Sequence, residues 1–278
     1  MNYESLWQRL MPLYDAGEAK AIVRWVLDER FHLSQADILC GKVTELSADD
    51  QAELEKIMLR LEKGEPIQYV MGNTTFCRRN FHVTSDVLIP RPETEELCNL
   101  ITSCPTQKNH TSVLDIGTGS GCIAITLALD IPGAQVTAWD ISLAALDIAR
   151  QNAAALKAPV TFEIHDALMP EDDGRQWDII VSNPPYILPE ERDEMADNVL
   201  RYEPEVALFV PEENPIIFYQ RIANYATNHL APEGILYFEL NPLTADDVCD
   251  YLRRLGFMQI ELMQDQFGKT RFLKAKYI

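Results

Sequence analysis

The stretch Asp115-Ile-Gly-Thr-Gly-Ser-Gly121 sets three alternate glycines between two apolar segments. Ser112-Val-Leu114, just before it, predicts the end of a buried strand, and Cys122 to Leu129 predicts a helix from its length and its alanine and leucine content. Glycines in such a turn let the backbone pass close to a ligand, with free N–H groups and the positive end of the helix dipole at the same place. The stretch therefore predicts a strand, a ligand-binding turn and a helix, the repeating unit of an α/β sheet.

The spacing of the glycines indicates the kind of ligand. A dinucleotide fingerprint has the pattern G-x-G-x-x-G, but Cys122 occupies the position of its third glycine. The observed G-x-G-x-G spacing favours S-adenosylmethionine over a nicotinamide dinucleotide. We therefore predict a cofactor loop made of Asp115, Gly117, Thr118, Gly119, Ser120 and Gly121.

Two further aspartates follow predicted strands. Ala134 to Trp139 predicts a strand closed by Asp140, whose carboxylate can accept two hydrogen bonds from ribose hydroxyls. Val160 to Ile164 predicts the next strand, after which Asp166 can meet the adenine amino group while Ala167 packs against the ring. Asp140 taken alone could instead be a helix N-cap, but the order of these residues after the glycine loop favours the cofactor role.

Asn183-Pro184-Pro185-Tyr186 ends a fourth apolar run that begins at Asp178. Two prolines in succession make a stiff loop whose carbonyls stay unpaired. A planar amide or exocyclic amino nitrogen needs two acceptors for its hydrogens before its lone pair can attack a methyl group. The Asn183 side-chain carbonyl and the Pro184 main-chain carbonyl can supply them, and Tyr186 can stack on the flat group. The alternatives are an ordinary Pro-Pro turn and a core tyrosine.

The chain also resembles a known family over essentially its whole length, the PrmC/HemK peptide chain release factor glutamine methyltransferases. Asn-Pro-Pro-Tyr alone is shared with adenine and cytosine amino-methyltransferases, whereas its combination with Ile89-Pro-Arg-Pro-Glu-Thr-Glu95 and a long N-terminal region is typical of this family. The other matching segments are 64–72, 87–88, 113–121, 201–204, 207–208 and 268–271.

The resemblance implies an activity. The family methylates the side-chain amide nitrogen (N5) of the glutamine in the Gly-Gly-Gln loop of class 1 release factors, with S-adenosylmethionine and no metal. It implies catalytic roles for Asn183, Pro184 and Tyr186, substrate binding by these residues together with Pro185, and contact between Asn183 and the cofactor. Arg91, Glu93 and Glu95 either close over the cofactor or form a charge set at a helix N-terminus.

Composition limits the other classes of function. The 278 residues are 47% hydrophobic and 24% charged, with no run near the ~20 apolar residues of a membrane span and no export signal at the N-terminus, so we expect a cytoplasmic protein. Six cysteines without a C-x-x-C pair predict reduced thiols and no zinc site: Cys40, Cys77, Cys98, Cys104, Cys122 and Cys249.

The charge pattern argues against a nucleic-acid substrate. The net charge is −19, and the segment from Glu171 to Glu213 has thirteen acidic residues against three arginines, a net −10 around the predicted substrate loop. Phosphate backbones are bound by lysine and arginine, so a nucleic-acid amino-methyltransferase, the second candidate, lacks its basic face. A non-catalytic cofactor-binding partner of the translation machinery, the third, would be expected to lose Asn183. The acidic segment itself is either a solvated face or a docking surface.

Three regions are predicted. Residues 1–73 show amphipathic helices and form a substrate-docking domain, with helix starts at Ser34 and Ser47. Residues 74–90 form a hairpin linker, and residues 91–278 a Rossmann-like, doubly wound α/β methyltransferase domain.

Overall fold

The computed structural model describes residues 1–103 and 110–277. It divides into two compact units, one made of Met1–Asn73 with Ala196–Tyr202 and the other of Thr74–Met195 with Glu203–Ile278. The hairpin region 74–90 thus belongs to the second unit. Cys104 lies outside the described residues, and the other five cysteines are free thiols.

The described residues contain eleven α-helices and nine β-strands. The helices are α1 (Tyr3–Leu10), α2 (Ala16–Phe31), α3 (Gln35–Leu39), α4 (Ala48–Leu61), α5 (Ile67–Met71), α6 (Pro92–Thr102), α7 (Cys122–Asp130), α8 (Leu143–Leu156), α9 (Asp197–Tyr202), α10 (Ile217–His229) and α11 (Ala245–Leu255). The strands are β1 (Asn73–Phe76), β2 (Arg79–His82), β3 (Ser112–Ile116), β4 (Gln135–Asp140), β5 (Val160–Ile164), β6 (Trp177–Ser182), β7 (Leu230–Glu239), β8 (Phe257–Gln264) and β9 (Thr270–Tyr277). Short 3-10 helices occupy Lys42–Glu45, Pro189–Glu194, Glu205–Ala207 and Pro242–Thr244.

The first unit is a bundle of short helices around one apolar core. Ser34 forms a capping box with Asp37 at the start of α3, and the Ser47 hydroxyl accepts the Asp50 N–H at the start of α4, as the sequence predicts. The face of α4 that carries Leu54, Ile57, Met58 and Leu61 is buried in this core. The Tyr202 hydroxyl of α9 donates to the Lys63 carbonyl at 3.1 Å.

The second unit is built on a seven-stranded sheet in the order β5-β4-β3-β6-β7-β9-β8. Strands β3 to β7 are parallel, and β9 runs antiparallel between β7 and β8. Among the parallel strands, chain order runs outward from β3 to β5 in one direction and from β6 to β7 in the other, so the topological switch lies between β3 and β6. Ligands of open α/β sheets bind at the carboxyl ends of the strands at such a switch, and the doubly wound fold is confirmed.

The two-stranded β1–β2 hairpin packs beside this sheet. Asn152, buried in α8, accepts the His82 N–H at 2.7 Å and donates to the carbonyls of His82 and Ser120 at 3.0 and 2.9 Å. One side chain therefore joins the hairpin to the glycine loop. Among the helices of residues 1–103 and 110–277, none has the length and apolar character to cross a membrane.

Candidate active site

A crevice opens at the switch between β3 and β6. Its walls come from residues 86–94, 116–123, 140–145, 165–168, 182–185 and 204–218, although not every residue in these ranges faces it. All of these segments belong to the second unit. The topology alone therefore brings the predicted glycine loop, the ends of β4 and β5, and the Asn-Pro-Pro loop into one place.

The three loop glycines share a left-handed backbone conformation but differ in what a side chain at each would contact. Gly117, Gly119 and Gly121 have φ values of 78°, 54° and 81°, the left-handed region in which a side chain is strained. A Cβ on Gly121 would stand 3.0 Å from Ile125 Cδ1 and 3.1 Å from Ala149 Cβ, so this glycine permits close packing of α7 on α8. A Cβ on Gly117 or Gly119 would meet nothing within 4 Å. Both residues line the crevice, so a side chain at either would fill ligand space.

The loop is held by hydrogen bonds from its N–H groups, three to the end of β4 and one within the loop. The N–H groups of Gly117 and Thr118 both donate to the Trp139 carbonyl at 2.9 Å, and that of Gly121 donates to the Thr118 carbonyl at 2.9 Å. Gly119 N–H donates to Asp140 Oδ2 at 2.8 Å. The sequence predicts free N–H groups in this turn, but those of Gly117, Thr118, Gly119 and Gly121 are all hydrogen-bonded within the protein.

Asp115 lies beneath the loop and does not line the crevice. Its Oδ2 accepts the Thr118 hydroxyl at 2.6 Å and the Ala124 N–H at 3.2 Å, whereas Oδ1 is buried without a hydrogen-bond partner within the described chain. Burial raises the pKa of this carboxyl to about 7. In this structure Asp115 braces the loop, and its contact with a cofactor stays a prediction.

Asp140 and Asp166 both line the crevice. Asp140 ends β4, and its Oδ1 accepts the Ser142 N–H at 2.9 Å. Burial raises its pKa. The N-cap of α8 is Ser142, whose hydroxyl accepts the Ala145 N–H, so Asp140 is not the helix cap. Asp166 Oδ1 accepts the Leu168 N–H at 2.8 Å, which shapes the turn that also brings Ala167 to the wall.

The Asn-Pro-Pro segment follows β6, the strand beside β3, and lines the same crevice as the glycine loop through Asn183, Pro184 and Pro185. Asn183 Nδ2 donates to the Thr94 hydroxyl at 3.2 Å. Tyr186 is not among the lining residues; its hydroxyl donates to Glu239 Oε1 at 3.2 Å, and its ring packs against the main core cluster. This position agrees with the alternative of a core tyrosine better than with stacking on the substrate.

Residues 86–91 form one wall of the crevice, in which Arg91 alone was given a possible cofactor role from the sequence. Arg91 pairs with Glu203 at 2.6 Å, and the Ile89 N–H donates to the same carboxylate at 3.3 Å. Glu203 is only 4% exposed, so this ion pair holds the segment against residues 203–207. Arg91 lines the crevice, whereas Glu93 and Glu95 belong to the first turn of α6. Arg91 and Glu203 both lie in segments that carry the family resemblance, and this is the sequence feature that could have indicated their pairing.

Comparison with known proteins identifies the family. Residues 75–205 match the methyltransferase small domain, and residues 9–72 match the PrmC N-terminal domain. The release factor glutamine methyltransferase of Bacteroides thetaiotaomicron is 46% identical over 96% of both chains, and that of Flavobacterium psychrophilum is 37% identical over 99% of this chain and 98% of the relative.

This chain belongs to the release factor glutamine methyltransferase family. Its fold also resembles that of a 16S rRNA methyltransferase from T. thermophilus, solved in complex with AdoMet and guanosine. That likeness has a TM-score of 0.55 at 20% identity and covers 74% of this chain and 50% of the other. It supports the S-adenosylmethionine-dependent methyltransferase fold and nothing finer.

Proposed function

We propose that this enzyme transfers a methyl group from S-adenosylmethionine to the side-chain amide nitrogen of the glutamine in the Gly-Gly-Gln motif of class 1 release factors. The observation that carries the proposal is that Asn183 and Pro184 line the same crevice as the glycine loop and Asp140. A donor site and an amide-binding loop thus meet in one cavity. The near full-length relatives in the family are named for this substrate.

The crevice suits S-adenosylmethionine. Open space above Gly117 and Gly119 accommodates close approach, the Asp140 carboxylate suits the ribose hydroxyls, and Asp166 with Ala167 suits the adenine edge and face. When bound, the cofactor supplies a methyl group on a sulfonium, a leaving group that is already activated. A ligand at Asp140 would share this carboxylate with the Gly119 N–H or displace it.

The enzyme's own residues then have to orient the amide. Asn183 Oδ1 and the Pro184 carbonyl each accept one hydrogen of the glutamine amide, which directs its lone pair at the methyl carbon. As the nitrogen gains positive character, these hydrogen bonds strengthen in the transition state. The proton leaves afterwards to water, so no dedicated base is required.

The N-terminal helical unit and the acidic surface are proposed to dock the release factor. The cofactor loop and the Asn-Pro-Pro loop lie wholly within the second unit, which leaves the first unit no chemical task. We also propose that the enzyme acts in the cytoplasm, since its substrate is a translation factor. A nucleic-acid substrate is the weaker alternative, because the substrate loop lies in a segment with a net charge of −10.

The test is a labelling experiment with four acceptors in parallel. The enzyme and methyl-labelled S-adenosylmethionine are incubated with an intact class 1 release factor, a Gly-Gly-Gln peptide, DNA and RNA. We expect label on the glutamine of the intact factor, far less on the peptide because it lacks the docking surface, and none on nucleic acid. Label on a base, or on another residue of the factor, would overturn the proposal.

A further inference from the structure

Two buried polar side chains, Thr94 and Glu239, are connected to the Asn-Pro-Pro loop by hydrogen bonds and have no function in the proposal above. Thr94 lies in the first turn of α6 and is 3% exposed, and Glu239 ends β7 and is 1% exposed. The Thr94 hydroxyl lies 2.8 Å from Glu239 Oε2 and 3.2 Å from Asn183 Nδ2. A continuous chain of hydrogen bonds therefore runs from the end of β7 through α6 to the crevice.

The direction of each hydrogen bond in this chain is fixed by chemistry. An ionised carboxylate can only accept, so the Thr94 hydroxyl must donate its one hydrogen to Glu239. Only lone pairs of that hydroxyl then remain for Asn183, and they can be met only by the Asn183 NH₂ group. The amide is thereby oriented with Nδ2 toward Thr94, and its carbonyl oxygen is the end left for a ligand.

We propose that Thr94 and Glu239 are positioning residues for methyl transfer, which hold the Asn183 side chain with its carbonyl toward the substrate amide. The proposal rests on the proposed function of Asn183 as an acceptor. It goes beyond that function because it assigns the selection of the asparagine orientation to two residues that act through Asn183, Thr94 in the crevice wall and Glu239 behind it. Without them both ends of the side-chain amide compete for the crevice, and an NH₂ group there repels the hydrogens of the substrate amide.

Glu239 also holds the far end of the same loop. The Tyr186 hydroxyl donates to Oε1 at 3.2 Å, so both carboxylate oxygens accept from residues that shape the Asn-Pro-Pro-Tyr segment. The Arg271 guanidinium of β9 lies 6.0 Å from the Tyr186 ring centroid and favours the ionised carboxylate, whereas Glu93 of α6 disfavours it. Tyr219 of α10 donates to the Glu239 main-chain carbonyl at 3.1 Å.

The protonation of Glu239 should therefore matter. Burial raises its pKa to about 7, against the opposing effects of the Thr94 hydrogen bond and Arg271. A protonated Glu239 can donate to Thr94, which frees the threonine hydrogen for the Asn183 carbonyl and turns the amide round. Activity should accordingly be lost as the pH falls through about 7, and kept above it.

The primary test replaces the threonine hydroxyl by a methyl group of the same shape. We expect Thr94→Val to lower kcat by about 10–100-fold, with KM for the release factor and the affinity for S-adenosylmethionine changed less than about twofold. Thr94→Ser keeps the hydroxyl and should restore most of kcat. The matched control is Thr111→Val, since Thr111 is fully buried before the amino end of β3 and its hydroxyl has no partner among residues 1–103 and 110–277.

Two results would overturn the proposal. One is a Thr94→Val enzyme with the kcat of Thr111→Val. The other is a Thr94→Ser enzyme as slow as Thr94→Val, which would make the threonine methyl a packing element instead. Glu239→Gln cannot titrate and offers one acceptor oxygen instead of two, so its kcat should be lower than that of wild type and should fall less as the pH drops through about 7. Asp115 can still titrate in that range in both proteins, so the comparison is between the two profiles, and a Glu239→Gln profile as steep as that of wild type would remove Glu239 from the chain.

A further variant separates this proposal from the one on which it rests. Asn183→Ala should lower kcat on the order of 10²–10³-fold, and adding Thr94→Val to it should cause little further loss, because the side chain that Thr94 orients is gone. If Asn183→Ala keeps wild-type activity, the proposed function of Asn183 fails. If Asn183→Ala is slow but the losses of the two variants multiply, Asn183 stands and the positioning role of Thr94 fails.

Discussion

At the scale of single residues, Asp140 shows how one carboxylate can serve the loop and a ligand together. Its two oxygens accept the N–H groups of Gly119 and Ser142, at 2.8 and 2.9 Å. Each carboxylate oxygen has a second lone pair, so ribose hydroxyls can be added or can displace Gly119. The side chain is therefore held in place before the ligand arrives, which reduces the entropy lost on binding.

Asp140→Ala should weaken S-adenosylmethionine binding by about 1.5–3 kcal/mol, the range for hydrogen bonds to a charged group. Part of the loss should come from the glycine loop, because the Gly119 N–H loses the acceptor that holds it in place. Isothermal titration calorimetry measures it directly, and Asp147→Ala is the control because that aspartate is 70% exposed on α8. An unchanged affinity in a folded Asp140→Ala protein would remove Asp140 from the cofactor site.

The residues that line the crevice could largely be predicted from the sequence, whereas the buried residues that hydrogen-bond to them could not. Gly117, Asp140 and Asn183 stand at the ends of apolar runs, and all three line the crevice. Thr94 and Glu239 carry no such mark, since their hydrogen bond joins positions 145 residues apart. Only tertiary structure reveals a partnership between two common polar residues at that separation.

At the scale of elements, apolar periodicity located the sheet well but not the segments around it. The strand β5 has the predicted bounds and β4 is displaced by one residue from them, whereas Pro232 and Gly234 interrupt the apolar pattern near the start of β7. The helix α9 lies within the predicted methyltransferase region, yet it packs with residues 1–73. Its six residues are too few for periodicity to indicate a partner.

Asn152 of α8 joins the β1–β2 hairpin to the glycine loop, and its removal can be tested. Asn152→Ala removes three hydrogen bonds of a buried side chain and leaves the His82 and Ser120 main-chain groups without this partner. We expect a loss of roughly 2–4 kcal/mol in the free energy of unfolding, measured by urea denaturation. Asn224→Ala is the control, because Asn224 is exposed and its two hydrogen bonds stay on the surface. Equal losses in both variants would show that the junction adds no stability.

At the scale of the whole molecule, charge is the property that remains to be explained. Several acids of the segment 171–213 are used internally, such as Glu203 with Arg91 and Asp178 with Ser112. Others face water without an internal role in the crevice: Glu190, Asp193 and Glu194 are exposed in the 3-10 helix that follows the Asn-Pro-Pro loop. An exposed cluster of one sign beside a substrate loop can steer an oppositely charged partner.

Reversal of these three charges gives the last prediction. The variant Glu190→Lys/Asp193→Lys/Glu194→Lys should lower kcat/KM for an intact release factor about tenfold at low salt, because steering acts on the rate of encounter. The difference from wild type should shrink as salt shortens the Debye length, and methylation of a Gly-Gly-Gln peptide should not change. The control reverses Asp147, Asp250 and Glu261, which are 70%, 63% and 56% exposed on other elements. It alters the net charge equally, so an equal loss in both triple variants would assign the effect to overall charge and leave the segment after the loop as a solvated face.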